Sequence, residues 1–361
     1  MRVKSLLCVF FLLLMAGGVF AQVQTGSAYP KREFRAAWIQ SVNGQFRGMP
    51  TEKLKQNLIG QLNSLQKAGI NAIIFQVRPE ADALYASRLE PWSRFLTGLQ
   101  GKAPQPGWDP LRFMVEECHK RGMELHAWIN PYRAQTKGTT ALSPMHPYNK
   151  YPNLFVRYGG QLYFDPGYPE SRAYICKIVR DIVSRYDIDA IHMDDYFYPA
   201  LEASENMNDN AEYEKYGKAQ FDNIADFRRN NVNVVIQNIQ KTIIETRPDV
   251  IFSISPAANM DNNYNTLFAD VKKWSKEGWV DVIIPQLYFA TGTEESSFNQ
   301  RLNLWSQYIY ENHLLVGYGV YKFGDPAYGS KFQSSEDLQK QFDFAKTKPK
   351  VKGSVLYSVK Y

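Results

Sequence analysis

The sequence predicts a (β/α)₈ barrel of the TIM type, with long βα loops after strands 2, 3 and 4. Three observations predict it. Eight apolar runs of strand length occur in succession, and helix-period segments separate them. Strict βα alternation gives a parallel sheet with helices outside, and eight units are what a closed barrel needs. No glycine-rich phosphate turn follows the first run, which disfavours an open doubly wound sheet.

The strand runs are 34–40 (FRAAWIQ), 70–78, 123–130 (MELHAWIN), 189–194, 250–255, 281–288, 314–320 and 353–358. The helix segments are 51–68, 109–121, 171–186, 218–246, 266–277, 297–312 and 335–347. Thr51, Asp109-Pro110 and Ser335 read as helix starts. Lys67-Ala68-Gly69 and Lys120-Arg121-Gly122 read as basic last turns with a glycine stop. The sequence ends soon after the eighth strand, with no eighth helix in it. Either the barrel closes without that helix or a C-terminal portion lies outside this sequence.

Residues 1–21 read as a secretory leader: Arg2 and Lys4, an apolar stretch from Leu6 to Met15, then Val19-Phe20-Ala21. The stretch is short for a bilayer span, and no Cys follows it to carry a lipid. Residues 22–31 read as a polar linker and 32–361 as the barrel domain. The expected location is the periplasm or outside the cell, with no stable membrane anchor. Losing Arg2 and Lys4 lowers the formal charge from +6 to +4, too diffuse for a nucleic-acid footprint. Cys118 and Cys176 remain and are expected as separate buried thiols. The 361 residues, 44 % hydrophobic with a mean hydropathy of −0.41, exclude both a disordered chain and a polytopic membrane protein.

Aromatic residues make up 14 % of the chain, and many fall in loops 79–108, 131–170 and 195–217, where a barrel places its binding site. Strand alternation then sorts the strand ends. One face carries Trp38 and Gln40; Gln76, Arg78 and Glu80; Trp128 and Asn130; His192 and Asp194; Ser253 and Ser255; and Gln286 and Tyr288. Tyr357 of the eighth strand is a further candidate for binding substrate. Polar groups recurring at the C-terminal ends of so many strands read as a site. A pair of carboxyls is the apparatus of glycoside hydrolysis: one donates a proton to the leaving oxygen, and the other attacks or activates water. Asp194 has inward parity and is the first candidate. Asp195 joins it only if the strand ends there, and Glu80 is the other possible partner. An ion pair with Arg78 is the structural alternative for the two aspartates. His192 reads as an orienting group or a general base.

Other chemistry is disfavoured. The histidines and carboxylates lack compact metal spacing, and no GxSxG elbow is present. The acidic stretch 206–214 lacks EF-hand spacing and reads as a solvated loop. No metal and no cofactor are expected, and nothing in the sequence indicates an oligomeric state.

Several segments carry a resemblance: REFRAAWIQSV, GINAIIFQVRPEADALY, PWS, GWDPLRFMVEECHKRGMELHAWINPYR, YFDPG and IDAIHMDDYFYP. Together they resemble the bacterial glycoside-hydrolase-like ten family, over about residues 32–325. The resemblance implies a TIM barrel, export to the cell envelope and hydrolysis of sugar polymers, notably peptidoglycan glycan strands stripped of their peptides. It implies catalytic carboxyls at Asp194 and Asp195. It implies that Asp165 and Asn130-Pro131-Tyr132-Arg133 line the cleft, while Tyr196, one of the loop tyrosines after strand 4, is expected to stack on the sugar. YFDPGYPE departs from the LDPG-type or NPG-type run frequent in relatives. The competing reading is a non-catalytic glycan-binding barrel, which would use the same aromatic lining but has no need of adjacent acids.

Overall fold

The computed structural model describes residues 33–42, 44–137, 141–199 and 207–359. The leader 1–21 and linker 22–31 lie outside these residues. The strands are β1 (Phe34–Ile39), β2 (Ala72–Arg78), β3 (Glu124–Ile129), β4 (Ala190–Met193), β5 (Ile251–Ile254), β6 (Val282–Ile283), β7 (His313–Gly319) and β8 (Val351–Tyr357). They pair in parallel and in sequence order, and β8 closes on β1 with Phe34 opposite Gly353. The main helices are α1 (Thr51–Lys67), α2 (Pro110–His119), α3 (Pro169–Arg185), α4 (Ile224–Thr246), α5 (Val271–Lys276), α6 (Phe298–Tyr308) and α7 (Glu336–Lys346).

Alternation divides the apolar residues into two cores. Ala36, Trp38, Ala72, Ile74, Trp128, Val282, Ile284, Leu315 and Val355 fill the barrel interior. Ile73, Phe75, Ala127, Ile129, Ile191 and Met193 face outward onto Leu54, Leu58, Leu62, Ile175 and Ile178 of α1 and α3. Each fully buried aliphatic side chain there contributes ~1.5–3 kcal/mol.

Local chemistry sets the element ends. Asp109 accepts the Arg112 N–H at 3.1 Å and caps α2. Gly69 and Gly122 take left-handed backbone after α1 and α2. Thr51 differs from its expected role: it is the first helical residue, and its hydroxyl donates to the Gln105 carbonyl. The sixth strand is two residues long, because Pro285 has no N–H to give the ladder. Of the expected helix at 266–277 only α5 is helical; a separate short helix, Met260–Asn265, precedes that segment, with Phe268 between the two at φ +53°. The loop after β3 folds into an antiparallel sheet of Arg133–Gln135, Phe155–Tyr158 and Gln161–Phe164, which the sequence reading did not anticipate. Among the described residues no helix follows β8, and Cys118 and Cys176 are unpaired.

Candidate active site

The floor of the barrel mouth is built from inward residues of β1, β3, β4 and β5. His192 is fully buried. Its Nε2 accepts the Trp38 indole N–H at 3.1 Å, because indole only donates. The proton of the ring therefore sits on Nδ1, which lies 2.8 Å from Ser253 Oγ. Ser255 Oγ is 3.2 Å from Nε2. Burial, seconded by the charge of His126, holds the imidazole well below its usual pKa. His192 is thus a neutral brace under Trp38 and lies beneath the site.

Above that layer sits Asp194, 4 % exposed. Trp128 Nε1 donates to its Oδ2 at 3.1 Å, and Asn130 Nδ2 donates to its Oδ1 at 3.2 Å. Asn130 is itself fixed, its Oδ1 accepting the Arg133 N–H at 3.0 Å. β4 ends at Met193, so Asp195 is released from strand alternation. Its Oδ1 accepts from Gln286 Nε2 at 3.1 Å, and the same amide donates to the Ser255 carbonyl at 3.0 Å. Burial first, then the charge of Asp195, push the Asp194 carboxyl up to about 7, against the opposing pull of Arg133. Burial also raises Asp195, partly offset by the Gln286 amide. Such a pair holds a proton near neutral pH and titrates as a unit.

The walls are aromatic. Tyr288 and Tyr357 stack at 5.5 Å and 9°, and Trp38 meets Tyr357 edge-on at 6.0 Å. The Tyr357 hydroxyl donates to Gln40 Oε1 at 2.6 Å. The Arg133 guanidinium lies 4.8 Å from the centroid of Tyr196, which is 50 % exposed.

Four expected residues stand apart from the Asp194 pair. A register shift between Gln76 and Arg78 places Gln76 opposite Trp128 but Arg78 opposite the outward-facing Ile129. Arg78 consequently turns away from the mouth and pairs with Glu90 through two bonds of 2.7 and 2.6 Å. The ion pair weighed between Arg78 and the aspartates is therefore made with Glu90. Glu80 receives Arg94 Nε at 2.7 Å, Arg94 Nη2 at 3.0 Å and the Thr136 N–H at 2.8 Å. Tyr132 is fully buried on the outer side with α3 residues. Asp165 accepts the Gly167 N–H at 2.8 Å; burial and the charges of Glu212 and Asp209 push it up to about 7. Among the described residues no group of three or more His, Cys, Asp or Glu is placed to hold a metal ion, and no helix is long and apolar enough to cross a membrane.

Sequence reading missed two glycines and a lysine. A Cβ on Gly317 would lie 3.2 Å from Trp38, and one on Gly319 would lie 2.9 Å from Tyr288 Cβ. Both glycines are inward by parity with Leu315, so they make the room that Trp38 and Tyr288 occupy. The run LLVGYGV carries that signal as two inward positions without side chains. Lys322 donates to the Tyr288 carbonyl and holds it from the following loop.

Comparison with known proteins agrees with this architecture. Among solved structures, the glycoside hydrolase domain of PgaB (BpsB) from Bordetella bronchiseptica is similar at a TM-score of 0.59 and 12 % identity, over 90 % of this chain and 94 % of that one. Alpha-L-fucosidase isoenzyme 2 from Paenibacillus thiaminolyticus reaches 0.58 at 14 % identity, over 91 % of this chain and 46 % of that one. At such identities the likeness establishes the shared barrel fold. Sequence relatives are nearer. Glycosyl hydrolase YngK of Bacillus subtilis (strain 168) is 39 % identical over 99 % of this chain and 74 % of that protein. Glycosyl hydrolase DigH of Escherichia coli (strain K12) is 34 % identical over 86 % of this chain and 78 % of that protein. A family model described as glycosyl hydrolase-like 10 matches residues 33–334, from the start of β1 to the approach of α7. On that match and these relatives, the chain belongs to the glycosyl hydrolase-like 10 family.

Proposed function

We propose that this protein is an exported glycoside hydrolase that cuts peptidoglycan glycan strands at N-acetylhexosamine linkages. The barrel domain works after removal of the 1–21 leader, behind the 22–31 linker, in the periplasm or outside the cell. The observation that carries this reading is the carboxyl pair. Asp194 and Asp195 are adjacent and largely buried at the end of one strand, and they accept hydrogen bonds from the neutral Trp128, Asn130 and Gln286 side chains and from the Tyr196 N–H. The single proton held by the pair passes to the glycosidic oxygen as the bond to the anomeric carbon breaks. The ionised member faces the oxocarbenium charge that develops, or orients a substrate N-acetyl oxygen that attacks in its place. Water then takes up the sugar. Gln286, Asn130 and Arg133 orient hydroxyl or acetamido groups, and Trp38, Trp128, Tyr196, Tyr288 and Tyr357 supply apolar faces for the rings. No cofactor or metal takes part in this scheme.

The test is product mass spectrometry after incubation with peptidoglycan, with and without prior amidase treatment. Wild type releases short oligosaccharides from the denuded strands. Asp194→Asn keeps its circular dichroism spectrum and loses about 10²–10⁴-fold in turnover. Wild-type-like turnover in that variant removes Asp194 from the mechanism. Absence of any cleavage by wild type favours the non-catalytic glycan-binding barrel.

A further inference from the structure

The loop after β7 carries aromatic rings that the carboxyl pair does not account for. Tyr321 meets Tyr288 edge-on at 6.1 Å and 89°, and Tyr357 at 5.7 Å and 88°. Tyr328 meets Tyr321 at 5.4 Å and 88°. Rings therefore run without a break from Tyr357, bonded to Gln40 in the mouth, to Tyr328, which is 39 % exposed at the rim. Lys322 holds the arrangement. Besides the Tyr288 carbonyl, its ammonium lies 5.8 Å from the Tyr321 centroid, 5.5 Å from Tyr328 and 5.4 Å from Phe332. Phe332 is buried and anchors the far side of the loop, and its carbonyl accepts the Gly324 N–H at 2.7 Å. Asp325 caps the short turn bearing Tyr328 by accepting the Ala327 N–H at 3.0 Å.

A lone exposed tyrosine needs no explanation. This one is held by its own turn and continues the ring system of the site. A tyrosine fixed in this way offers a large amphipathic face at low cost in side-chain entropy. The apolar C–H face of a pyranose is the complementary surface. We propose that Tyr328, backed by Tyr321, is a remote stacking platform for a sugar unit beyond the cleavage point. The site is then one for polymeric glycan in preference to short oligosaccharides. This inference rests on the glycan reading above and adds its length dependence.

The test compares long amidase-released glycan strands with a purified tetrasaccharide fragment of the same strands. Tyr328→Ala raises KM for long strands about tenfold, the size of one aromatic stacking contact, while kcat changes by less than about twofold. KM for the tetrasaccharide does not rise with it, and Tyr328→Trp restores the long-strand value. An unchanged long-strand KM in Tyr328→Ala, with wild type turning over normally, overturns the platform and leaves the hydrolase reading standing. If wild type cleaves nothing, binding of the long strands is measured in the Asp194→Asn background. About tenfold weaker binding on adding Tyr328→Ala then supports the platform while the hydrolase reading falls. Equal binding, or no binding, overturns the platform as well.

Discussion

Two pairs of largely buried carboxylates, Asp194–Asp195 and Glu80–Glu90, are built oppositely. Asp82, beside the second pair, is pushed up to about 7 by burial and by the charges of Glu80 and Glu90, so a raised carboxyl by itself does not mark the site. At the mouth, Asp194 accepts from Trp128 and Asn130, and Asp195 accepts from Gln286. Arg133 pulls on both carboxyls through its charge, with its Nε on the Pro79 carbonyl and its guanidinium over Tyr196. Beside β2, Glu90 and Glu80 are just as buried, yet each receives two bonds from an arginine. The difference is compensation. A buried carboxylate with a matched guanidinium keeps its charge and serves as structure. A buried carboxyl given neutral donors and a like-charged neighbour keeps a proton, which is a property that acid catalysis uses.

The strongest way to break the comparison is to remove compensation where it exists. Arg78→Met leaves Glu90 buried without its cation and is expected to cost ~3–5 kcal/mol. Calorimetry then reads a fall in Tm on the order of 10 °C, and Arg78→Met/Glu90→Leu recovers most of it. A Tm unchanged by the single variant contradicts the structural role assigned to that pair.

The next test is the pH profile of turnover. Donation requires the protonated form of Asp194, whose pKa is pushed up to about 7. Activity on denuded strands should therefore fall as pH rises through about 7, tending to about tenfold per unit. On the acid side it falls as Asp195 takes its own proton, above the ordinary carboxylate range because burial raises that group. A profile flat to about pH 9 excludes the pair as proton donor.

The smallest effect concerns the wall. Gly319→Ala places a Cβ within 2.9 Å of Tyr288 Cβ, so the ring must shift. The expected result is a KM about threefold higher, with kcat less affected. An unchanged KM frees Tyr288 from any part in binding.

Much of the architecture was legible in local pattern. In β1, β3, β4 and β5 the strands are regular, so parity correctly separates Trp38, Trp128 and Ser253 from Ala37, Ala127 and Phe252. The same rule misplaced Arg78, because one irregular residue in β2 reverses the position after it, and it does not reach Glu80, which follows the end of the strand. The antiparallel sheet at 133–164 escaped notice because its strands are three and four residues long, too short for a periodicity to register. Tyr321 and Lys322 escaped because they follow the end of β7, where alternation carries no information.

The sequence by itself determined the barrel and the adjacency of Asp194 and Asp195. Both rest on interactions between near neighbours, periodicity in one case and the chain's own order in the other. Only the tertiary structure decided which carboxyls go uncompensated. That depends on where guanidinium groups from distant loops come to rest: Arg94 on Glu80, Arg78 on Glu90, and Arg133 turned onto Tyr196. Charge pairing is a contact across the fold, and a one-residue shift in β2 was enough to redirect it.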